Sequence, residues 1–222
     1  MEIRWLGHSA FEIITDEGLN ILIDPFISNN PACQIPVEEF NPDIILVTHG
    51  HSDHLGDAME LSNKNNVPVA AIHEISLFLS KQGINNIGVN IGGSFIYRGV
   101  KFTMLDAKHS SVLDIVEEPL PAGDAASFLI TLEDGTKLFH AGDTGFPAGV
   151  FQDGRPVEAP PDDPQGYRRP HGTGRFDHFA RGEQQVRADA VRDHPPEIAL
   201  FGGDADRIGR GGFELRDQEH PA

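Results

Sequence analysis

Short apolar runs rich in isoleucine, valine and phenylalanine recur along the first 140 residues, separated by glycine, aspartate or asparagine. Runs of this length, alternating or continuous, are typical of β-strands. The pattern predicts ten strands, near residues 2–6, 10–15, 19–24, 43–48, 67–72, 87–91, 94–98, 100–106, 126–132 and 136–140. Asp-Glu-Gly at 16–18 and Glu-Asp-Gly at 133–135 supply turn residues for hairpins between neighbouring strands.

Helical spacing of apolar residues predicts two helices, at about 53–64 and 74–82. The stretches 27–41 and 110–125 show neither period and are predicted to be loops. Strands interleaved with helices indicate a mixed fold, of the α/β or α+β class.

One segment concentrates metal-binding side chains: residues 48–55 are Thr-His-Gly-His-Ser-Asp-His-Leu. It follows the apolar run 43–48, which is typical of a strand buried on both faces, so the histidines emerge at a strand end. Alternate residues of an extended turn project to one side, which brings the first two histidines together. Imidazole and carboxylate ligands suit zinc, and also iron or manganese. The alternative is a polar loop whose histidines cluster by chance.

The segment resembles the first metal motif of the metallo-β-lactamase superfamily, whose fold is a four-layer αββα sandwich. Further motifs follow in order, with Ala-Lys-His-Ser at 107–110 and His-Ala-Gly-Asp-Thr-Gly at 140–145. Residues 3–11 and 21–26 are similar to the opening strands of one branch. That branch contains uncharacterised metal-dependent hydrolases and their relative, L-ascorbate-6-phosphate lactonase. The resemblance covers about residues 1–145.

The resemblance implies a site for two divalent metal ions, with zinc favoured and manganese or iron as alternatives. It assigns ligands to the first ion (His49, His51, His109), to the second ion (Asp53, His54) and to a bridge between them (Asp143). Asp53 is also the expected catalytic residue, because a carboxylate beside the ions could relay a proton.

Two more residues are candidates outside that ligand set. Asp24 ends an apolar run and could orient a ligand imidazole by accepting its second N–H, the alternative being an ordinary turn residue. His8 could contact substrate or ligand residues, the alternative being a structural histidine. His73 and His140 are expected to be structural.

The amino-acid composition narrows the class of protein and its expected partners. A chain of 222 residues with 39% hydrophobic residues can bury one core and is most simply one domain. Its net charge of −17 disfavours a nucleic-acid partner, since phosphate backbones require clustered Lys and Arg. A single cysteine, Cys33, excludes an internal disulfide and fits a reducing compartment. With no secretory signal or membrane-spanning run visible, we expect a cytoplasmic protein without a membrane partner. The oligomeric state is left open.

The amino-acid composition of the chain changes after Gly145. Residues 1–145 contain five Lys and two Arg, whereas 146–222 contain ten Arg and no Lys, and proline rises from seven to nine. A moderate helix followed by a short strand is predicted at about 183–201. The family expects a late histidine in a Met-His-Tyr-like motif here, but only His171 approaches it.

We therefore divide the chain into a metal-binding part, 1–145, and a divergent C-terminal part of the same domain, 146–222. One hypothesis is that the second part is translated from a shifted reading frame, which resequencing independent clones of the encoding DNA would test. The rival is a genuine but divergent tail, irregular in part.

The expected function is a metal-dependent hydrolase that uses a metal-activated water on a small ester, lactone or phosphate-containing substrate. The alternative is a metal-binding protein without turnover, its site left incomplete by the C-terminal part. No nucleophile elbow, Walker loop or dinucleotide fingerprint offers a competing site.

Overall fold

The computed structural model of the chain describes residues 1–145 and, beyond them, 151–152, 155–156, 185–187 and 197–200. The chain divides into two units. The first contains Met1–Gly145 and Gln184–Asp204, and the second contains Phe146–Glu183 and Ala205–Ala222. Within the second unit the structure describes an antiparallel pair, β13 (Phe151–Gln152) and β14 (Arg155–Pro156). All other elements described below belong to the first unit.

A seven-stranded sheet with the order β15-β1-β2-β3-β4-β5-β6 forms one layer of the first unit. Its strands are β1 (Glu2–Gly7), β2 (Ala10–Ile14), β3 (Asn20–Ile23), β4 (Ile44–Leu46), β5 (Val69–Ile72), β6 (Asn86–Val89) and β15 (Gln185–Arg187). Pairing is antiparallel from β15 to β3 and parallel from β3 to β6. Every residue of β4 and β5 is buried, as their continuous apolar sequences predict.

A five-stranded sheet with the order β16-β12-β11-β8-β7 forms a second layer. Its strands are β7 (Ser94–Tyr97), β8 (Val100–Asp106), β11 (Ala126–Thr131), β12 (Lys137–His140) and β16 (Glu197–Leu200). In β8 the residues Val100, Phe102 and Met104 are buried and alternate with more exposed neighbours, so one face of the strand packs on the core.

The helices among the described residues follow strands of the seven-stranded sheet. They are α1 (Ser52–Leu55), α2 (Ala58–Asn65), α3 (His73–Lys81) and a short 3-10 helix (Val37–Glu39). None of the helices in this part of the chain has the length and apolar character needed to cross a membrane.

The prediction of a single helix at 53–64 is wrong, because the helix is interrupted at Gly56. Gly56 has φ +42°, and a Cβ there would lie 2.4 Å from the carbonyl oxygen of Pro25. Asp57 then donates its N–H to the same carbonyl, and its Oδ2 accepts the N–H groups of Ile27 and Ser28. This close approach to a distant loop separates α1 from α2, so local periodicity could not reveal it.

The other predictions differ from the structure mainly at short elements. The helix expected at 74–82 is confirmed as α3, and the ten predicted N-terminal strands are all present within about three residues. The segment 110–125, predicted to be a loop, contains the antiparallel pair β9 (Val112–Leu113) and β10 (Leu120–Pro121). Within 183–201 the structure describes strand β15 where a helix was predicted, and β16 confirms the strand at its end.

Side chains of both sheets belong to one hydrophobic core. Ile21 and Ile45 from the seven-stranded sheet and Phe102 and Phe128 from the five-stranded sheet are all fully buried in it. Each such side chain stabilises the fold by about 1.5–3 kcal/mol relative to exposure. Two sheets sharing a core, with helices beside one of them, confirm the mixed α+β class. The second helical layer of the predicted αββα sandwich is expected from residues 146–222, of which the structure describes only the short strands β13 to β16.

Candidate metal centre

Two of the predicted ligands lie in the loop that follows β4. The buried β4 delivers the chain to His49 and His51, after which α1 begins at Ser52. Gly50 separates the two histidines and is required there, since a Cβ would lie 2.6 Å from the Cβ of Ala122. The two histidines are therefore held where a second loop passes closely.

Other strand ends bring further donors to the same place. His8 follows β1, His109 lies three residues after β8, and Asp143 lies three residues after β12. The loops carrying His109 and Asp143 are tied together, because the N–H of Lys108 donates to Oγ1 of Thr144 at 2.9 Å. The carboxyl ends of several strands thus converge, as expected for a site in a layered α/β fold.

The first donor group consists of His49, His51 and His109. One ligand atom from each lies within 4.8 Å of the others. Nε2 of His49 is 2.9 Å from Nδ1 of His51, and the His109 ring centroid is 4.9 Å from that of His49. His49 is fully buried, whereas the His109 side chain is 32% exposed.

The second donor group consists of His8, His54 and Asp143, whose ligand atoms also lie within 4.8 Å of one another. Nε2 of His54 is 3.1 Å from Nε2 of His8 and 3.4 Å from Oδ1 of Asp143. The other oxygen of the same carboxylate, Oδ2, is 3.6 Å from Nε2 of His109 in the first group. The two carboxylate oxygens of Asp143 therefore face different donor groups.

Asp53 lies beside the second donor group. Its Oδ2 is 3.2 Å from Nε2 of His8, whereas its Oδ1 is 4.0 Å from Nε2 of His54. The side chain is 46% exposed, which leaves one face of the carboxylate to solvent. The structure thus brings together all six residues of the predicted ligand set, with Asp53 at the rim.

Asp24 lies beneath these donors and is fully buried. Its Oδ1 accepts the N–H of Thr48 at 2.8 Å, and its Oδ2 accepts the Thr48 hydroxyl at 2.7 Å. Nδ1 of His54 and Nε2 of His140 lie 2.9 and 3.2 Å from the same oxygen. Asp24 orients a predicted ligand, whereas the alternative of an ordinary turn residue leaves these contacts unexplained.

The hydrogen bonds of Asp24 determine which nitrogen each imidazole presents to the donor groups. An ionised carboxylate only accepts, so Nδ1 of His54 must donate and Nε2 is the nitrogen that faces outward. The Thr48 hydroxyl gives its hydrogen to Asp24, and its oxygen therefore accepts Nδ1–H of His49 at 3.0 Å. Nε2 of His49 is then also an acceptor, and it faces Nδ1 of His51 at 2.9 Å.

Charge and burial move several pKa values in this cluster. Burial, with the nearby His54, lowers the pKa of His49 to about 3, so its imidazole is neutral at physiological pH. Burial alone would raise the pKa of Asp24, but His54 and His140 hold it below its ordinary value. A hydrogen bond from His8 likewise lowers the pKa of the Asp53 carboxyl.

The pKa of His54 is shifted in the opposite direction, upward. Its burial lowers the pKa, but the Asp24 and Asp143 carboxylates outweigh burial and raise it to about 10. The metal-free chain therefore keeps His54 protonated at neutral pH. A metal ion that binds Nε2 would have to displace that proton, as is general for imidazole ligands.

The side chains present fit divalent metal ions. Two clusters of imidazole and carboxylate donors match the ligand preferences of zinc, manganese and iron rather than the all-oxygen sets of calcium and magnesium. Asp24 supports them in the manner usual for metal sites, where a carboxylate accepts the second N–H of a ligand imidazole.

Some functional contacts were not foreseen from the sequence. His140 was expected to be structural, and it is indeed buried at the end of β12, but it also contacts the Asp24 carboxylate directly. His8 was a candidate for contact with substrate or ligands, and the structure places it in the second donor group. His73 is exposed at the start of α3, and His171 lies outside the described residues.

Comparison with known proteins agrees with this architecture. The family model described as the metallo-beta-lactamase superfamily matches residues 3–203. This chain therefore belongs to the metallo-β-lactamase superfamily. Its relatives within the superfamily are described as UPF0173 metal-dependent hydrolases.

One such relative, from Methanosphaera stadtmanae, is 54% identical over 146 residues, which cover 65% of this chain and 62% of the relative. Another, from Methanopyrus kandleri, is 38% identical over 203 residues, covering 90% of this chain and 82% of the relative. This chain thus spans less than two thirds of the length of the first. The link to the lactonase and the departure of residues 146–222 from the family stay predictions.

Among solved structures, Igni18, a metallo hydrolase from the hyperthermophilic archaeon Ignicoccus hospitalis, aligns with a TM-score of 0.58 and 34% identity. The alignment covers 67% of this chain and 63% of Igni18.

Proposed function

We propose that this protein is a hydrolase with two divalent metal ions that acts on a small ester, lactone or phosphate-containing substrate. His49, His51 and His109 would hold the first ion, Asp53 and His54 would hold the second, and Asp143 would be shared between them. The observation that carries the proposal is the position of Asp143. Its two oxygens lie 3.4 and 3.6 Å from imidazole nitrogens of different donor groups, as a bridging ligand requires.

Bound divalent ions would supply a nucleophile at neutral pH, by lowering the pKa of water, and would polarise a carbonyl or phosphoryl oxygen. The chain contributes the fixed donors, since Asp24 holds the His54 ring and, through Thr48, the His49 ring. No protein nucleophile is needed for this chemistry.

Asp53 is the catalytic residue of the proposal. Its carboxylate lies beside the second donor group, and its exposed face can accept a proton released during attack on the substrate. A small substrate can reach it, because Asp53 and His109 are both partly exposed at the open side of the site.

Zinc is the metal that we favour, with manganese or iron as alternatives, because all three accept this mixture of ligands. The strongly negative net charge supports a small-molecule substrate over nucleic acid. The single free cysteine supports a cytoplasmic location, where thiols stay reduced.

The test is turnover by the full chain after dialysis against zinc or manganese, with a p-nitrophenyl ester, a simple lactone and bis(p-nitrophenyl) phosphate as probes. We expect hydrolysis of at least one probe and its loss in His51→Ala and Asp143→Ala. His73→Ala is the matched control, since this histidine is exposed and lies outside both donor groups. Equal rates in the wild type and the two ligand variants would refute the assigned site.

The same experiment distinguishes a hydrolase from a metal-binding protein without turnover. A chain that binds two ions but turns over none of the probes would favour the metal-binding protein without activity. Hydrolysis that disappears with chelator and returns with metal would favour the enzyme.

A further inference from the structure

His8 lies among the metal donors although it stands outside the family's metal motifs. Its Nε2 is 3.1 Å from Nε2 of His54 and 3.2 Å from Oδ2 of Asp53. Its ligand atom, with those of His54 and Asp143, forms the second donor group. The side chain is thus within ligand distance of the place that the second ion would occupy.

The two imidazoles direct ring nitrogens at the same point, 3.1 Å apart. The hydrogen bond to Asp24 takes Nδ1 of His54, which leaves Nε2 as the nitrogen that meets His8. Asp143 and Asp53 bring two carboxylates to the same point, at 3.4 Å from His54 and 3.2 Å from His8. Two ring nitrogens and two carboxylates around one point form a ligand set of the kind that zinc takes.

The backbone is strained to place His8 there. Gly7 has φ +103° and His8 has φ +51°, a left-handed conformation that residues other than glycine rarely adopt. A Cβ on Gly7 would lie 2.6 Å from the Cβ of Ala32, so the turn allows no larger residue. The indole N–H of Trp5 donates to the carbonyl of His8 at 2.8 Å and holds the turn closed. Strain of this kind clusters at ligand sites.

We infer that His8 is a ligand of the second metal ion, through Nε2. The inference rests on the proposed two-metal function. It places a ligand directly after the first strand of the chain, 46 residues before His54.

The test is zinc titration of the metal-free full chain in competition with a chromophoric chelator, for wild type, His8→Asn and His73→Asn. Asparagine tolerates the left-handed conformation at position 8 but is too short to reach the ion. We expect two tight zinc ions in wild type and in the His73→Asn control. In His8→Asn the first zinc should bind as before and the second at least about tenfold more weakly.

Cobalt(II) provides a readout that a merely structural role would not change. The absorption of the second cobalt equivalent should change in His8→Asn, while that of the first stays constant. Far-UV circular dichroism identifies any variant that has not folded, and in that case His8→Gln replaces His8→Asn in both measurements.

Two zinc ions of unchanged affinity in the folded variant would overturn the role of His8 and leave the proposed function standing. Loss of both ions from a folded His8→Asn chain would also overturn it, because His8 is not in the first donor group. Fewer than two tight ions in wild type would overturn the two-metal proposal and this inference together.

Discussion

The carboxylate of Asp24 and the imidazole of His54 form a fully buried pair, with Oδ2 and Nδ1 2.9 Å apart. The two residues are 30 positions apart in sequence, one after β3 and the other in α1. Asp24 is itself in a left-handed conformation, with φ +45°. This pair connects the candidate metal site to the core, so changes at Asp24 should affect both stability and metal binding.

Asp24→Asn should lower both the free energy of unfolding and the affinity for zinc. The amide keeps the shape but loses the charge that faces His54 and His140, and breaking a buried charged pair costs roughly 3–5 kcal/mol of unfolding free energy. Zinc affinity should fall by roughly 10–100-fold. Urea denaturation and zinc competition measure the two effects.

The control for Asp24→Asn is Asp16→Asn, whose side chain is 81% exposed and pairs with the chain's amino terminus. It should change the unfolding free energy by less than about 1 kcal/mol. Equal effects of the two substitutions would contradict the role of Asp24 in connecting the donor groups to the core.

Thr48→Val should weaken metal binding at the first donor group with little change in shape. Valine cannot accept Nδ1–H of His49, so the ring is free to turn its other nitrogen to the ion. We expect a loss of about tenfold or more in the affinity for the first zinc. Thr48→Ser keeps the hydroxyl and should restore most of the affinity, whereas parity of the Val and Ser variants would count against the relay through Thr48.

Gly142→Ala should destabilise the chain and disturb Asp143. The residue has φ +60°, and an added Cβ would lie 2.8 Å from the side chain of Thr48. We expect a loss of about 2 kcal/mol or more in unfolding free energy. Gly135→Ala is the matched control, since Gly135 also has positive φ, +87°, but no atom lies within 4 Å of its Cβ position. The difference between the two variants isolates the contact with Thr48.

The metal-free chain should lose stability as pH rises above neutrality. The pKa of His54 is about 10 in the folded chain but about 6.5 when unfolded, so its protonated form stabilises the fold. That contribution is fully present below about pH 6.5 and is lost as pH rises through about 10. Urea denaturation in the presence of chelator, from pH 6.5 to 10, measures it. His54→Gln removes the titrating group, and an equally steep decline in that variant would contradict the assignment.

The sequence predicted the regular strands well because their residues carry the necessary signal themselves. Continuous apolar runs such as Ile44–Leu46 and Val69–Ile72 need no tertiary information to indicate buried strands. The break at Gly56 depends on the Pro25 carbonyl, and strand β15 depends on pairing with β1, nearly the whole chain away. Neither contact is visible in a local window.

The candidate site likewise combines residues that the local sequence indicates with residues that only the tertiary fold brings together. The spacing of His49, His51 and His54 within six consecutive positions is a local signal. The placement of His8 and His140 arises only when the ends of β1 and β12 converge. The sequence did contain one hint, since a glycine before His8 at the end of an apolar run allows an unusual backbone turn.

The separation of the donors along the chain also governs when a metal can bind during folding. His49, His51 and His54 stay within six positions of one another even in an unfolded chain, whereas His8 and Asp143 are brought together across 135 residues. Zinc present during refolding can therefore associate with the short histidine segment before the sheets have formed, and binding to the unfolded state offsets part of the stabilisation that the ions give to the native state. Folds that depend on non-local contacts form more slowly than those built from local ones, so a chain folded first and metallated afterwards should avoid ions held in an incomplete coordination.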